Sequence, residues 1–158
     1  MQRFWLTAHW PPLKSSDAPD ILNIYIQDRF KEVVEPMRHG DRVLVYELLT
    51  GPSERKIIDG KLVVIRRHLG KQAIICDARI ATPVHERPNY KPQEFTGRGV
   101  LNYKWLATTD DRRPLLVPRL AVNAVFCWGD GHNFHGFNAG RGIRQITSEQ
   151  YEALTAGQ

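Results

Sequence analysis

Cysteine is scarce in this 158-residue chain: only Cys76 and Cys127 occur, far apart and each in an apolar setting. Two thiols so placed give neither the paired spacing of a zinc site nor a disulfide framework, and they read as buried free thiols. No apolar run approaches the ~18 residues of a membrane span. The opening MQRFWLTAHW is too polar for the apolar core of a signal peptide, so a cytoplasmic protein without membrane contact is expected. The G-x-S-x-G elbow, the P-loop and H-E-x-x-H are all missing. So are repeats, low-complexity segments and any like-charge run long enough to form a disordered basic arm. With 42% hydrophobic and 25% charged residues, residues 1–158 read as one globular domain large enough for a real core.

Positive charge is in excess, at +5 overall. That points toward a polyanion such as nucleic acid. The basic residues gather as Arg66 and Arg67 in VIRRHLGK, Arg112 and Arg113 in DDRRP, and Arg141 and Arg144 in GRGIRQ. These six are the candidates for phosphate and backbone contacts.

The pattern of elements predicts an α+β domain. RFWLTA (3–8) reads as a short strand, stopped by Pro11 and Pro12. In DRFKEVVEPM (28–37), Phe30, Val33, Val34 and Met37 recur at helical spacing, and Pro36 limits the helix. DRVLVYEL (41–48), GKLVVIRR (60–67) and KQAIICDARI (71–80) are rich in Val and Ile and read as strands. The short link RHLGK suggests a hairpin between the last two, hence antiparallel pairing. LNYKWLAT reads as a further strand, with Trp105 set among Leu101 and Leu106 as core. At the C-terminus Thr147 and Gln150 fit a capping box and Ile146 and Tyr151 a hydrophobic staple, opening a helix over SEQYEALTA. Close-set strands with about three helices imply a curved or closed sheet.

One segment resists a purely structural reading. CWGDGHNFHGFNAGRGIRQI (127–146) packs one Trp, two Phe, two His and five Gly into twenty residues. His132 and His135 form H-x-x-H, which with Asp130 offers a metal only an incomplete set of ligands, and no metal or cofactor is expected. Trp10 and Trp128 each adjoin a rigid polar turn where apolar cover is thin. Rings converging on a cleft would sandwich a flat heterocycle, and base stacking is worth roughly 1–3 kcal/mol. Asn, Asp or backbone groups would then read the edge of an extruded base.

The order of these signals resembles the EVE domain of the PUA-like superfamily, which also includes the YTH readers of methylated RNA. The match rests on M-x-x-G-D-x-V-x-x-Y at Met37, Gly40, Asp41, Val43 and Tyr46. It continues in G-I-x-x-I-x-x-E-x-[YF] at Gly142, Ile143, Ile146, Glu149 and Tyr151. The resemblance implies a curved antiparallel β-barrel flanked by about three helices. It also implies an aromatic cage for a single, often modified, base in DNA or RNA. By position Trp10 and Trp128 become cage candidates, and Asn23 and Tyr25 lie where a polar-aromatic loop lines the family's pocket. Where family members commonly carry Lys-Ser, this chain has Ala8, His9 and Trp10. His132, Asn133 and His135 would contact the base edge or a phosphate. The expected partner is nucleic acid bearing a modified base, with a separate effector protein if cutting is required. The alternative is an enzyme of the same fold, acting on nucleosides or nucleic acid through the His132/His135 loop with Asp130 or Asp41.

Overall fold

The structure, a computed structural model, describes residues 1–11, 23–51, 53–66, 69–91, 93–95, 99–101, 103–132 and 142–157. Over these residues it is α+β: a curled six-stranded sheet with three helices against it. Strand β1 is Phe4–His9, β2 Asn23–Ile26, β3 Arg42–Glu47, β6 Ala73–Glu86, β9 Trp105–Pro118 and β10 Ile143–Ile146. They lie side by side in the order β10-β1-β3-β6-β9-β2, with β10 and β2 as the edges. The remaining strands form two separate pairs, β4 (Glu54–Ile58) with β5 (Lys61–Ile65), and β7 (Gln93–Phe95) with β8 (Gly99–Leu101). The helices are α1 (Lys31–Val34), α2 (Arg119–Val125) and α3 (Ser148–Thr155).

Curling comes from β6 and β9. These two fourteen-residue strands pair antiparallel, yet their register shifts at four points. Each shift adds bend and twist. Strand β3 is buried along its whole length, because the sheet is covered on both sides. Trp5, Val43, Val45, Ala78 and Ile80 face a core shared with Phe30, Val34 and Met37 around α1. Leu6, Leu44, Tyr46 and Ile74 face the opposite core, closed by Val122 of α2 and Leu154 of α3. A strand buried on both faces has no reason to alternate, which accounts for the continuous apolar run VLVY.

The M-x-x-G-D stretch is the hinge of this frame. Gly40 adopts φ +90°, open to glycine, and turns the chain so that Asp41 enters the core at 1% exposure. Its carboxylate accepts from the Arg3 N–H (3.0 Å), the Trp5 indole N–H (3.0 Å) and the Arg38 N–H (2.9 Å). Asp41 therefore ties β1 to the start of β3. At the other end, Thr147 Oγ1 accepts from the Gln150 N–H (3.1 Å) and Gln150 Oε1 from the Thr147 N–H (2.9 Å), completing the capping box. Tyr151 stacks on Phe4 at 4.4 Å, and Phe4 is the cross-strand partner of Ile146.

Several expectations need correction. Strand 60–67 does not pair with strand 71–80: β5 folds back on β4, and β6 pairs with β3 and β9. The Asp59–Gly60 turn has both φ values positive, 51° and 75°, the two-residue geometry that suits a hairpin's twist, and it overrides the longer RHLGK link. The sheet is mixed, since β1 and β3 run parallel, joined by the long helix-bearing connection that parallel pairing needs. Helix 28–37 is a 3-10 turn over Asp28–Phe30 followed by α1. The late strand begins at Trp105 and reaches Pro118, and α2 follows directly. Cys76 is buried as expected, but Cys127 is exposed, at φ 58° in the turn after α2.

Candidate functional site

Trp10, Asn23 and Tyr25, chosen from separate parts of the sequence, line one cleft together with Thr7, Ala8, His9, Ile24 and Tyr103. The end of β1 supplies one wall, β2 the other, and the entry to β9 brings Tyr103 across. The Trp10 and Tyr103 rings meet edge to face, 5.8 Å apart with planes at 85°, a favourable arrangement for aromatic quadrupoles. The cavity is small, about 70 Å³. That is room for about five waters at ~10–15 Å³ each.

The polar groups sit on the β2 wall. Asn23 Nδ2 donates to the Tyr25 hydroxyl at 3.3 Å, which orients the amide and leaves its carbonyl as an acceptor. Arg87, which sequence reasoning missed, clasps the two aromatic walls. Its guanidinium lies 5.0 Å from the centre of the Tyr25 ring, and the same group donates to the Tyr103 carbonyl at 2.9 Å. Its backbone N–H donates to the Lys104 carbonyl at 2.9 Å. No local pattern in HERPN signals this role, because Tyr25 is distant in sequence. His9 was also missed as a lining residue.

Trp128 and His132 lie elsewhere, and neither is among the described residues lining the cleft. Trp128 stacks on Phe126 at 4.8 Å, and its ring meets that of His132 at 4.5 Å with the planes tilted by 32°. Asn123, fully buried in α2, shapes this loop: its Nδ2 donates to the carbonyls of Gly129 (3.1 Å) and His132 (2.9 Å). Arg119 donates to the carbonyls of Asp130 and His132. Asn133, His135, Arg67 and Arg141 lie outside the described residues.

The described phosphate candidates are spread out. Arg66 is exposed just past β5. Arg112 donates to the Thr109 carbonyl (2.7 Å), and Arg113 pairs with Asp111 (3.2 Å). Arg144 lies over Phe126 and Trp128 at 5.4 and 5.8 Å. None of the four lines the cleft.

A buried polar cluster among the described residues is structural. Arg42, 5% exposed, donates through Nε to Asp77 Oδ1 at 2.9 Å and through Nη1 to Asp111 at 3.0 Å. The Tyr151 hydroxyl donates to Asp77 Oδ2 at 2.6 Å. Burial, then the hydrogen bond to the Asp77 carboxylate, push the Tyr151 phenol up from its ordinary value. This network ties α3 to β3 and β6. Another cavity, about 310 Å³, lies between α1 and β6, with Val34, Met37, Pro83 and Val84 among its walls. Its Arg38 guanidinium is turned onto the Glu35 and Met37 carbonyls, and none of the described residues lining it is aromatic.

Among the described residues no three His, Cys, Asp or Glu side chains are grouped to hold a metal ion, and no helix is long and apolar enough to cross a membrane. No protein-family model and no curated protein matches the chain. Among solved structures the chain is similar to the NMR structure of Rpa0253 from Rhodopseudomonas palustris. The TM-score is 0.48 and the identity 14%, over 96% of this chain and 90% of that chain.

Proposed function

We propose that the chain is a cytoplasmic nucleic-acid reader with a PUA-like, EVE-type sheet, and that the Trp10 cleft accepts a single modified base. One observation carries the reading. Trp10, Asn23, Tyr25 and Tyr103 arrive from three separate stretches of chain at one cleft. Aromatic surface beside a few polar groups is what recognition of an unstacked base requires. Trp10 and Tyr103 provide the apolar surface, and the Asn23 carbonyl accepts from an exocyclic amine or ring N–H. Arg87 holds the Tyr25 and Tyr103 walls at their spacing. In this arrangement the cage is built from Trp10, Tyr25 and Tyr103, while Trp128 supports the loop after α2. The excess positive charge adds a salt-dependent contribution to affinity.

The test is a titration of Trp fluorescence with short oligonucleotides carrying cytosine, 5-methylcytosine, 5-hydroxymethylcytosine or N6-methyladenine. Selective quenching by one of them, lost in Trp10→Ala and weakened in Tyr103→Ala, is expected. Indifference to all four overturns the reading.

A further inference from the structure

Between β3 and β6 the chain leaves the sheet and returns as a two-stranded ribbon, β4–β5, whose outer face is uncovered. In its register Arg55 sits opposite Val64 and Ile57 opposite Leu62, so these four share one face. That face is exposed: Ile57 at 69%, Leu62 at 61% and Val64 at 51%; Ile58, on the other face next to the turn, is 47% exposed. Val63 and Ile65, on the opposite face, are half-buried. An isolated two-stranded hairpin is marginal in water, and this one presents its apolar residues outward rather than to a core.

The ribbon also carries the charge of a polyanion binder. Residues 54–66 hold four cations, Arg55, Lys56, Lys61 and Arg66, against two acids, Glu54 and Asp59. The ribbon's roots lie against the base cleft. The Leu48 N–H donates to the His9 carbonyl (3.0 Å), and the Gly70 N–H donates to the Leu49 carbonyl (2.7 Å). The Lys71 N–H donates to buried Glu47 (2.9 Å), and Gly51 packs on the Trp10 ring. The ribbon thus leaves the body from directly behind a cleft wall.

We propose that β4–β5 is an arm that enters the major groove of duplex DNA beside the base held in the cleft. This rests on the base-reading proposal above. Five-residue strands give a reach of about 17 Å, and two strands ~5 Å apart with their side chains fit a groove ~12 Å wide. Ile57, Leu62 and Val64 would meet thymine methyl groups and base edges, with Arg55 of the same face and the long Lys56 and Lys61 side chains of the other reaching toward the phosphates. The major groove of A-form RNA is too deep and narrow to admit side chains, so the arm selects DNA.

Anisotropy on an unmodified short DNA duplex reads the arm, and Trp quenching by the modified single strand reads the cleft. Wild type is compared with Lys56→Glu/Lys61→Glu and with Ile57→Asp/Leu62→Asp, each checked by circular dichroism and sedimentation. Both variants are expected to lose duplex affinity by about tenfold or more. The charge variant should also show a log–log salt slope shallower by about 2. Quenching by the single strand should survive in both. Undiminished duplex affinity in the variants overturns the arm. So does conversion from dimer to monomer in Ile57→Asp/Leu62→Asp with duplex affinity intact, which makes the face an interface between copies. Wild type that quenches with the single strand but ignores the duplex removes the arm and leaves the cleft. Wild type that responds to neither removes both.

Discussion

Trp10 rests on Gly51 so closely that a Cβ built on Gly51 would lie 2.6 Å from the indole Cγ. The missing side chain at Gly51 is what lets the ring lie against the backbone at the edge of the cleft. Gly51→Ala should therefore move Trp10 without removing it. The shift is read from the Trp10 indole N–H resonance, while those of Trp5, Trp105 and Trp128 stay in place. Overpacking of this kind costs about 1–3 kcal/mol, and selective quenching by the modified base should fall with it. An unmoved resonance would show that the contact is easily relieved.

The Arg42–Asp77 pair should be costly to break from one side. Asp77→Ala leaves the buried Arg42 guanidinium with only the half-exposed Asp111 carboxylate as its side-chain partner and removes the acceptor of the Tyr151 hydroxyl. Losing one partner of a buried pair destabilises by about 3–5 kcal/mol. Replacing both, as Arg42→Met/Asp77→Leu, should cost less than the sum of the two single changes. Urea unfolding of the four proteins in the cycle measures the coupling.

High pH should weaken the fold through its buried phenols. Burial pushes the Tyr46 hydroxyl up to about 12, against ~10 when unfolded. The folded state then holds this proton more tightly than the unfolded one. The stabilisation is intact below about pH 10 and is lost as the pH rises toward 12. Tyr151 shifts in the same direction. Denaturation midpoints should fall across that window, and less steeply in Tyr46→Phe. Equal slopes would mean another group controls the alkaline limb.

Thr147→Ala should remove the hydroxyl half of the capping box, which accepts from the Gln150 N–H, and keep the backbone N–H that Gln150 Oε1 accepts from, at a cost of about 1 kcal/mol. For a domain of this size that lowers Tm by roughly 2–4 °C. Gln150→Ala, which keeps the Thr147 hydroxyl, should cost less. Thermal scans followed by circular dichroism separate the two.

Arg87→Lys keeps the charge but loses the planar group over Tyr25 and the directed donor to the Tyr103 carbonyl. Selectivity among modified bases should drop while overall affinity for nucleic acid, and its salt dependence, change little. A uniform loss of affinity would make Arg87 a phosphate contact.

The parts of this protein legible from its residues alone are those decided within a few positions of chain. The Thr147–Gln150 cap, the stop at Pro11, the strand at VLVY and the Gly40–Asp41 turn all follow from short-range hydrogen bonding, proline geometry or apolar patterning. Residue type and resemblance single out Trp10, Asn23 and Tyr25, but nothing local says that they meet. Their meeting depends on β2 pairing with the start of β9, across about eighty residues of chain. Arg87 and Tyr103 join them for the same reason. The partner of GKLVVIRR, likewise, was chosen by the Asp59–Gly60 turn over a competing link whose residues looked equally suitable. Short-range chemistry specified the turns, caps and apolar faces. Strand order, the cleft and the outward face of the ribbon were decided only when distant segments competed for the same hydrogen bonds and the same buried surface.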